Sequence, residues 1–147
     1  MGQQTVIDRL LDVLVVTAVR AYREAAPQIR PGWLAGVGDP VVEAATGLLH
    51  AFPERPWTID LLAREVLVSR STLAARFTRA VGVPPMTYLS RWRLDLACDL
   101  LTEPGATVAS TAEVLGYASP FSFSAAFRRH HGASPSAYRR RVLADGA

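Results

Sequence analysis

Residues 119–134, SPFSFSAAFRRHHGAS, hold the side chains of this 147-residue chain best suited to gripping a polyanion. Arg128 and Arg129 stand near the middle of this stretch, after Ser124, Ala125, Ala126 and Phe127. A planar guanidinium pairs bidentately with phosphate, or with the O6 and N7 edge of guanine. All sixteen basic residues are Arg, and so complete a lack of Lys is read as genomic base composition rather than selection at each site. Their distribution is more informative than their type. Residues 1–69 carry six Arg against eight acids, and residues 70–147 carry ten Arg against five. The basic half is where a polyanionic partner belongs.

Other chemistry finds little support. Adjacent His130 and His131 should diverge by about 100° on a helix, His50 is remote in sequence, and no Cys or HxxxH spacing assists them, so no metal site is expected. No Gly-x-Ser-x-Gly elbow or Walker-type glycine loop occurs, and no cofactor or enzyme activity is expected. Cys98, the one cysteine, excludes an internal disulfide framework and reads as a small buried apolar residue, which suits a reducing cytoplasm. The N-terminal apolar run lacks the basic flank and cleavage site of a signal peptide. Asp8, Arg9 and Asp12 interrupt it short of the roughly 20 residues a membrane span needs.

The elements that would position the arginines are all helical. From Thr5 to about Ala26, apolar residues recur at helical spacing (Val6, Leu10, Leu14, Ala18), and residues 27–39 read as a linker. Asp39 and Pro40 open a helix that ends before Pro53; Thr58 caps the next, and Ser69 caps a third that Gly82 stops. Pro84 opens a long helix over 84–102, roughly 25 Å in length, closed by Pro104-Gly105. Thr107 to Gly116 and Ser119 to Gly132 form a second tight helix pair, followed by a Pro-started terminal turn. The predicted fold class is therefore all-α: two helix-turn-helix subdomains, 58–82 and 107–132, joined by a long linking helix. Before them stands an N-terminal helical dimerisation and linker segment (1–39), and after them a flexible tail (142–147). Paired helices of this kind dock their second helix in the major groove of DNA. The linking helix is of the right order to hold two heads about one DNA turn, ~34 Å, apart.

Helical geometry assigns the faces. With Leu73, Phe77 and Ala80 buried, the first reading helix turns Ser71, Ala74, Ala75 and Thr78 outward. With Phe123, Ala126 and Phe127 buried, the second turns out Phe121, Ser124, Ala125 and Arg128, with Ser122 and Arg129 on the rim. Arg128 is the best candidate for a guanine or phosphate fork. Phe121 is either an apolar contact to a thymine methyl or a cap on the helix entry. Phosphate holding falls to Arg70, Arg79, Arg91, Arg93 and Arg129, helped by the helix N-termini at Thr58 and Ser119. Arg76 should pack its stem, and Arg139 to Arg141 read as a solvated tail.

Over residues 40–141 the chain resembles the DNA-binding region of AraC/XylS-type transcriptional regulators. The matching strings are Trp57-Thr58 with Leu62-Ala63, Ser69-Arg70-Ser71-Thr72-Leu73 with Phe77, Gly82-Val83-Pro84-Pro85 with Tyr88-Leu89, and Arg93-Leu94 with Ala97, Leu100 and Leu101. The last and most specific runs from Gly116-Tyr117 through Ser119, Phe123-Ser124, Phe127-Arg128-Arg129, Gly132 and Ser134-Pro135 to Tyr138-Arg139. Ser110, Thr111 and His131 depart from it, standing where an acidic, an aliphatic and an aromatic residue are usual. The resemblance implies a cytoplasmic, sequence-specific regulator that sets two recognition helices in adjacent major grooves of double-stranded DNA and touches RNA polymerase. Such proteins usually add a sensor domain, often a cupin-like barrel, whose helical tail residues 1–39 would be; a small-molecule effector is implied only with that domain. Residues 5–26 are expected to form a homodimer. The competing reading is a protein-interaction module with weak non-specific DNA binding, because the first reading helix is Ala-rich.

Overall fold

The computed structural model describes residues 38–145, in which seven α-helices follow one another. The expected helix and dimer contact at residues 5–26 lie outside the described residues. α1 (Pro40–Ala51), α2 (Ile59–Glu65) and α3 (Arg70–Val81) form the first head. α4 (Pro85–Thr102) leads to the second, built from α5 (Val108–Val114), α6 (Pro120–His131) and α7 (Pro135–Asp145). Among the described residues no helix is long and apolar enough to cross a membrane.

Local chemistry sets the helix boundaries. Asp39 accepts hydrogen bonds from the Val41 and Val42 amides at 3.0 and 3.3 Å, with Pro40 in the first turn of α1. Thr58, Ser69, Thr107 and Ser119 each cap the helix after them through a side-chain oxygen. Gly82 and Gly132 stop α3 and α6 in the left-handed conformation. The first turn reaches the same conformation without glycine: Leu67, at φ 58°, stands 91% exposed. The corresponding residue of the second turn is Gly116, at φ 74°.

Each head has its own core. Val42, Leu49, Trp57, Leu62, Leu73 and Phe77 fill the first together with Leu89 of α4. Leu94, Ala97 and Leu101 of the same helix meet Leu115, Phe123 and Phe127 in the second. α4 is thus a shared wall, its 18 residues spanning about 27 Å. Phe77, Phe123 and Phe127 are fully buried, each worth about 2–3 kcal/mol in area removed from water.

Two contacts fix one head against the other. The Arg93 guanidinium, half-buried on α4, donates from Nε to the Pro53 carbonyl at 2.6 Å and from an Nη to the Arg55 carbonyl at 2.9 Å. Beside it Gly116 lies so close to the Glu54 backbone that a Cβ there would fall 2.3 Å from its carbonyl oxygen. The turn of the second head therefore seats on the loop between α1 and α2. Within the first head, Asp39 also receives a two-pronged pair from Arg76, at 2.7 and 2.8 Å, which holds its carboxyl below the usual carboxylate range. Arg76 is thus an ion-pair partner as well as a packed stem.

The C-terminus corrects the sequence reading. A terminal turn and a tail from 142 were expected, but α7 continues as helix through Asp145. Ser134 accepts from the Ala137 amide at 3.2 Å, Pro135 is buried at the first turn, and Tyr138 packs edge-on against Phe127 at 5.5 Å. No breaker follows Pro135 before Asp145, so the docked helix propagates. Nor are Arg139 and Arg141 merely solvated: Arg139 donates to the Ala106 carbonyl, and the Arg141 guanidinium lies 5.7 Å from the Tyr138 ring centre.

Thr111, the departure noted in α5, is 2% exposed and its hydroxyl has no hydrogen-bond partner. A buried unpaired hydroxyl costs about 1–3 kcal/mol. Thr111→Val, of nearly the same shape, should therefore raise the unfolding free energy by about 1 kcal/mol, measured as a shifted urea midpoint at constant slope. An unchanged or lower midpoint would show that the hydroxyl is accommodated.

Candidate nucleic-acid interface

α3 presents a small, weakly polar surface. Ser71, Ala75 and Thr78 are exposed and Ala74 is half-buried. Ser69, the cap, also lies 3.3 Å from the Ser71 hydroxyl and 2.8 Å from that of Thr72, so Ser71 is already engaged at the helix entry. Arg70 leans 3.5 Å from Asp60 in the first turn of α2, with both side chains exposed, and Arg79 is exposed in the last turn. An exposed pair of this kind contributes little to stability and opens readily to another anion.

The surface of α6 is better equipped. Phe121, Ser124, Ala125 and Arg128 gather with Arg129 around an open groove of about 560 Å³. Phe121 is 84% exposed, so its ring does not fold back to close the helix entry. Ser122 differs from its sequence assignment. Its hydroxyl donates to the Ser119 carbonyl at 2.9 Å and accepts from the Ser119 amide at 3.3 Å, closing a reciprocal capping box. The hydroxyl is committed to holding the helix start rather than free to read a base edge. Ser134 also lines the groove and escaped the sequence reading. Its signal was present, since Ser134-Pro135 repeats the cap-and-proline start of Ser119-Pro120.

Two assigned phosphate contacts stand elsewhere. Arg93 must be removed from that set, because its fork is occupied by the Pro53 and Arg55 carbonyls and burial pulls its pKa below the usual arginine value. Arg91 is exposed, but it borders a separate hollow with Tyr88, Trp92 and Asp95. Thr58 and Ser119 are committed through their side chains to the Leu61 and Ser122 amides. What they offer another molecule is the remaining backbone amides of a helix start.

The histidines also depart from expectation. The rings of His130 and His131 nevertheless come together, edge-on with centres 4.6 Å apart. Their Cβ directions differ as helical geometry demands, yet both imidazoles lean on α4, which crosses the end of α6. His130 Nε2 is 3.3 Å from an Asp95 carboxylate oxygen, and His131 Nε2 is 3.0 Å from the Leu94 carbonyl. Cys98 lies beside them, its thiol pKa raised chiefly by burial, which makes it a poor nucleophile.

Known proteins share this arrangement. The helix-turn-helix domain family matches residues 62–141, more than half of the chain. A Streptomyces lividans protein named as an AraC-like transcription regulator is 45% identical over 140 residues, covering 95% of this chain and 46% of its own length. The HTH-type transcriptional regulator AlkR of Acinetobacter baylyi is 34% identical over 139 residues, covering 95% of this chain and 45% of its own. The chain thus spans about half the length of the curated relatives it matches. Among solved structures, the DNA-binding domain of AdpA in complex with a target DNA superposes with a TM-score of 0.67 at 31% identity, over 74% of this chain and 96% of that one. An AraC-type regulator from Chromobacterium violaceum gives the same score at 28% identity, covering 71% of this chain and 94% of its own.

Proposed function

The chain belongs to the AraC-type helix-turn-helix family of transcription regulators, and from that premise we propose that residues 39–145 bind promoter DNA by setting α3 and α6 into successive major grooves. The observation that carries this reading is the groove where Phe121, Ser124, Ala125 and Arg128 meet. It offers an apolar ring for a thymine methyl, small residues that let the helix approach the base edges, and a guanidinium fork for guanine. Arg70, Arg79 and Arg129 supply phosphate contacts, with the helix starts at Thr58 and Ser119. The first head, with Ala74 and Ala75 at its centre, contributes mainly shape and backbone contacts through Ser71 and Thr78. Base discrimination is then concentrated in the half-site under α6.

The test compares two arginines on an operator selected from random DNA. Arg128→Ala should weaken binding by about 1–3 kcal/mol and relax the preference at one base position. Arg129→Ala should weaken binding to all sequences alike and reduce the salt dependence by about one phosphate contact. Unchanged affinity and base preference in Arg128→Ala would overturn the assignment of α6 as the reading helix. Contacts to RNA polymerase, and a dimer through residues 5–26, extend the same proposal to the assembled regulator.

A further inference from the structure

The geometry points to a transition-metal site of the zinc class formed by Asp95 of α4 with His130 and His131 of α6. One ligand atom from each residue lies within 4.8 Å of the other two. Two ligands about 2.1 Å from an ion at the tetrahedral angle stand about 3.4 Å apart, and the Asp95 oxygen and His130 Nε2 are separated by 3.3 Å. That edge is already closed, and the third needs a shift of the order of a side-chain rotation. The donor set, two imidazoles and a carboxylate, suits zinc and its borderline neighbours over magnesium or calcium, which demand oxygen ligands.

Both histidines occupy the last turn of α6, where the carbonyl end of a twelve-residue helix favours positive charge. Asp95 and His130 are exposed, so an ion has an entry path, while His131 is half-buried beside Phe127, 4.4 Å between ring centres, and must give up its Leu94 contact to join the set. Three protein ligands leave a fourth position to solvent or to another donor, as in open zinc sites. An ion there would pin the end of α6 to the linking helix at a point the apolar core does not reach. None of the three ligands is among the DNA-facing side chains of α6, so the site stands or falls separately from them.

The experiment uses the untagged full chain, stripped with chelator and then titrated with zinc chloride against a chromogenic zinc indicator. One zinc per chain is expected. Asp95→Asn and His130→Gln should each weaken binding at least about tenfold. Both positions are exposed, so these variants should keep the parent melting curve in chelator, which separates a lost ligand from a lost fold. Cobalt(II) should give the strong visible absorption of a tetrahedral site in the parent and not in the variants. Failure of the parent to hold zinc, or equal binding by parent and both variants, would overturn the site.

Discussion

Gly116→Ala is expected to lower the unfolding free energy by about 3 kcal/mol or more, a fall in Tm of roughly 12 °C or more for a body of this size. Two costs combine. At φ 74° any L side chain is strained by about 1–2 kcal/mol. The added Cβ would also stand 2.3 Å from the Glu54 carbonyl oxygen, 2.9 Å from its carbon and 3.0 Å from its Cα. Those atoms are backbone and cannot swing aside, so the second head must lift from the loop between α1 and α2. Gly132 supplies the control. It has the same φ, 74°, but nothing lies within 4 Å of its Cβ position, so Gly132→Ala should cost only the conformational part, about 1–2 kcal/mol. Urea unfolding of both variants decides the matter: equal losses would show that the approach to Glu54 is not felt. Leu67 illustrates the same logic from the other side. The first turn tolerates a leucine in the left-handed region because its side chain points into solvent, 91% exposed.

What the sequence made legible is what short-range chemistry writes. Asp39, Thr58, Ser69, Thr107 and Ser119 are capping residue types just before apolar periodic stretches, and Gly82 and Gly132 sit where helices must stop. Those caps mark five of the seven helices; α4 starts at Pro84-Pro85 with no side-chain cap, and α7 follows a Ser134-Pro135 that reads in sequence as a terminal turn. The buried faces of α3 and α6 followed from Leu73, Phe77, Phe123 and Phe127 at spacings of four. Side-chain commitments were legible only in part. Ser122 lies three residues after Ser119, a reciprocal capping pair made with a serine in place of the usual Glu or Gln, and so reads equally well as an outward hydroxyl. Long-range partnerships were hidden. Arg76 meets Asp39 across 37 residues, Arg93 meets Pro53 across 40, and His130 meets Asp95 across 35. No periodicity encodes which arginine of an arginine-rich surface turns inward.

Arg93 is where that hidden layer changes a functional expectation, and its substitution separates two roles that sequence alone left alike. Were it a phosphate contact, Arg93→Met would leave stability unchanged and reduce the salt dependence of DNA binding by about one charge. The geometry requires the opposite. Methionine keeps much of the apolar stem but withdraws both charge-assisted donors, leaving the Pro53 carbonyl without its 2.6 Å partner; the Arg55 carbonyl keeps the Trp57 amide. Hydrogen bonds to a charged group contribute about 1.5–3 kcal/mol each, and half-burial of the fork reduces the pair, so a loss of about 2–3 kcal/mol is expected. Arg93→Lys should recover only part of it, because a point ammonium cannot bridge two carbonyls as a planar fork does. Affinity for a two-groove site should fall as well, since the heads lose their fixed relation, while the salt slope stays at the parent value. A parent-like Tm with a shallower salt slope would return Arg93 to the phosphate-contacting set and leave Gly116 on Glu54 as the contact that holds the heads together.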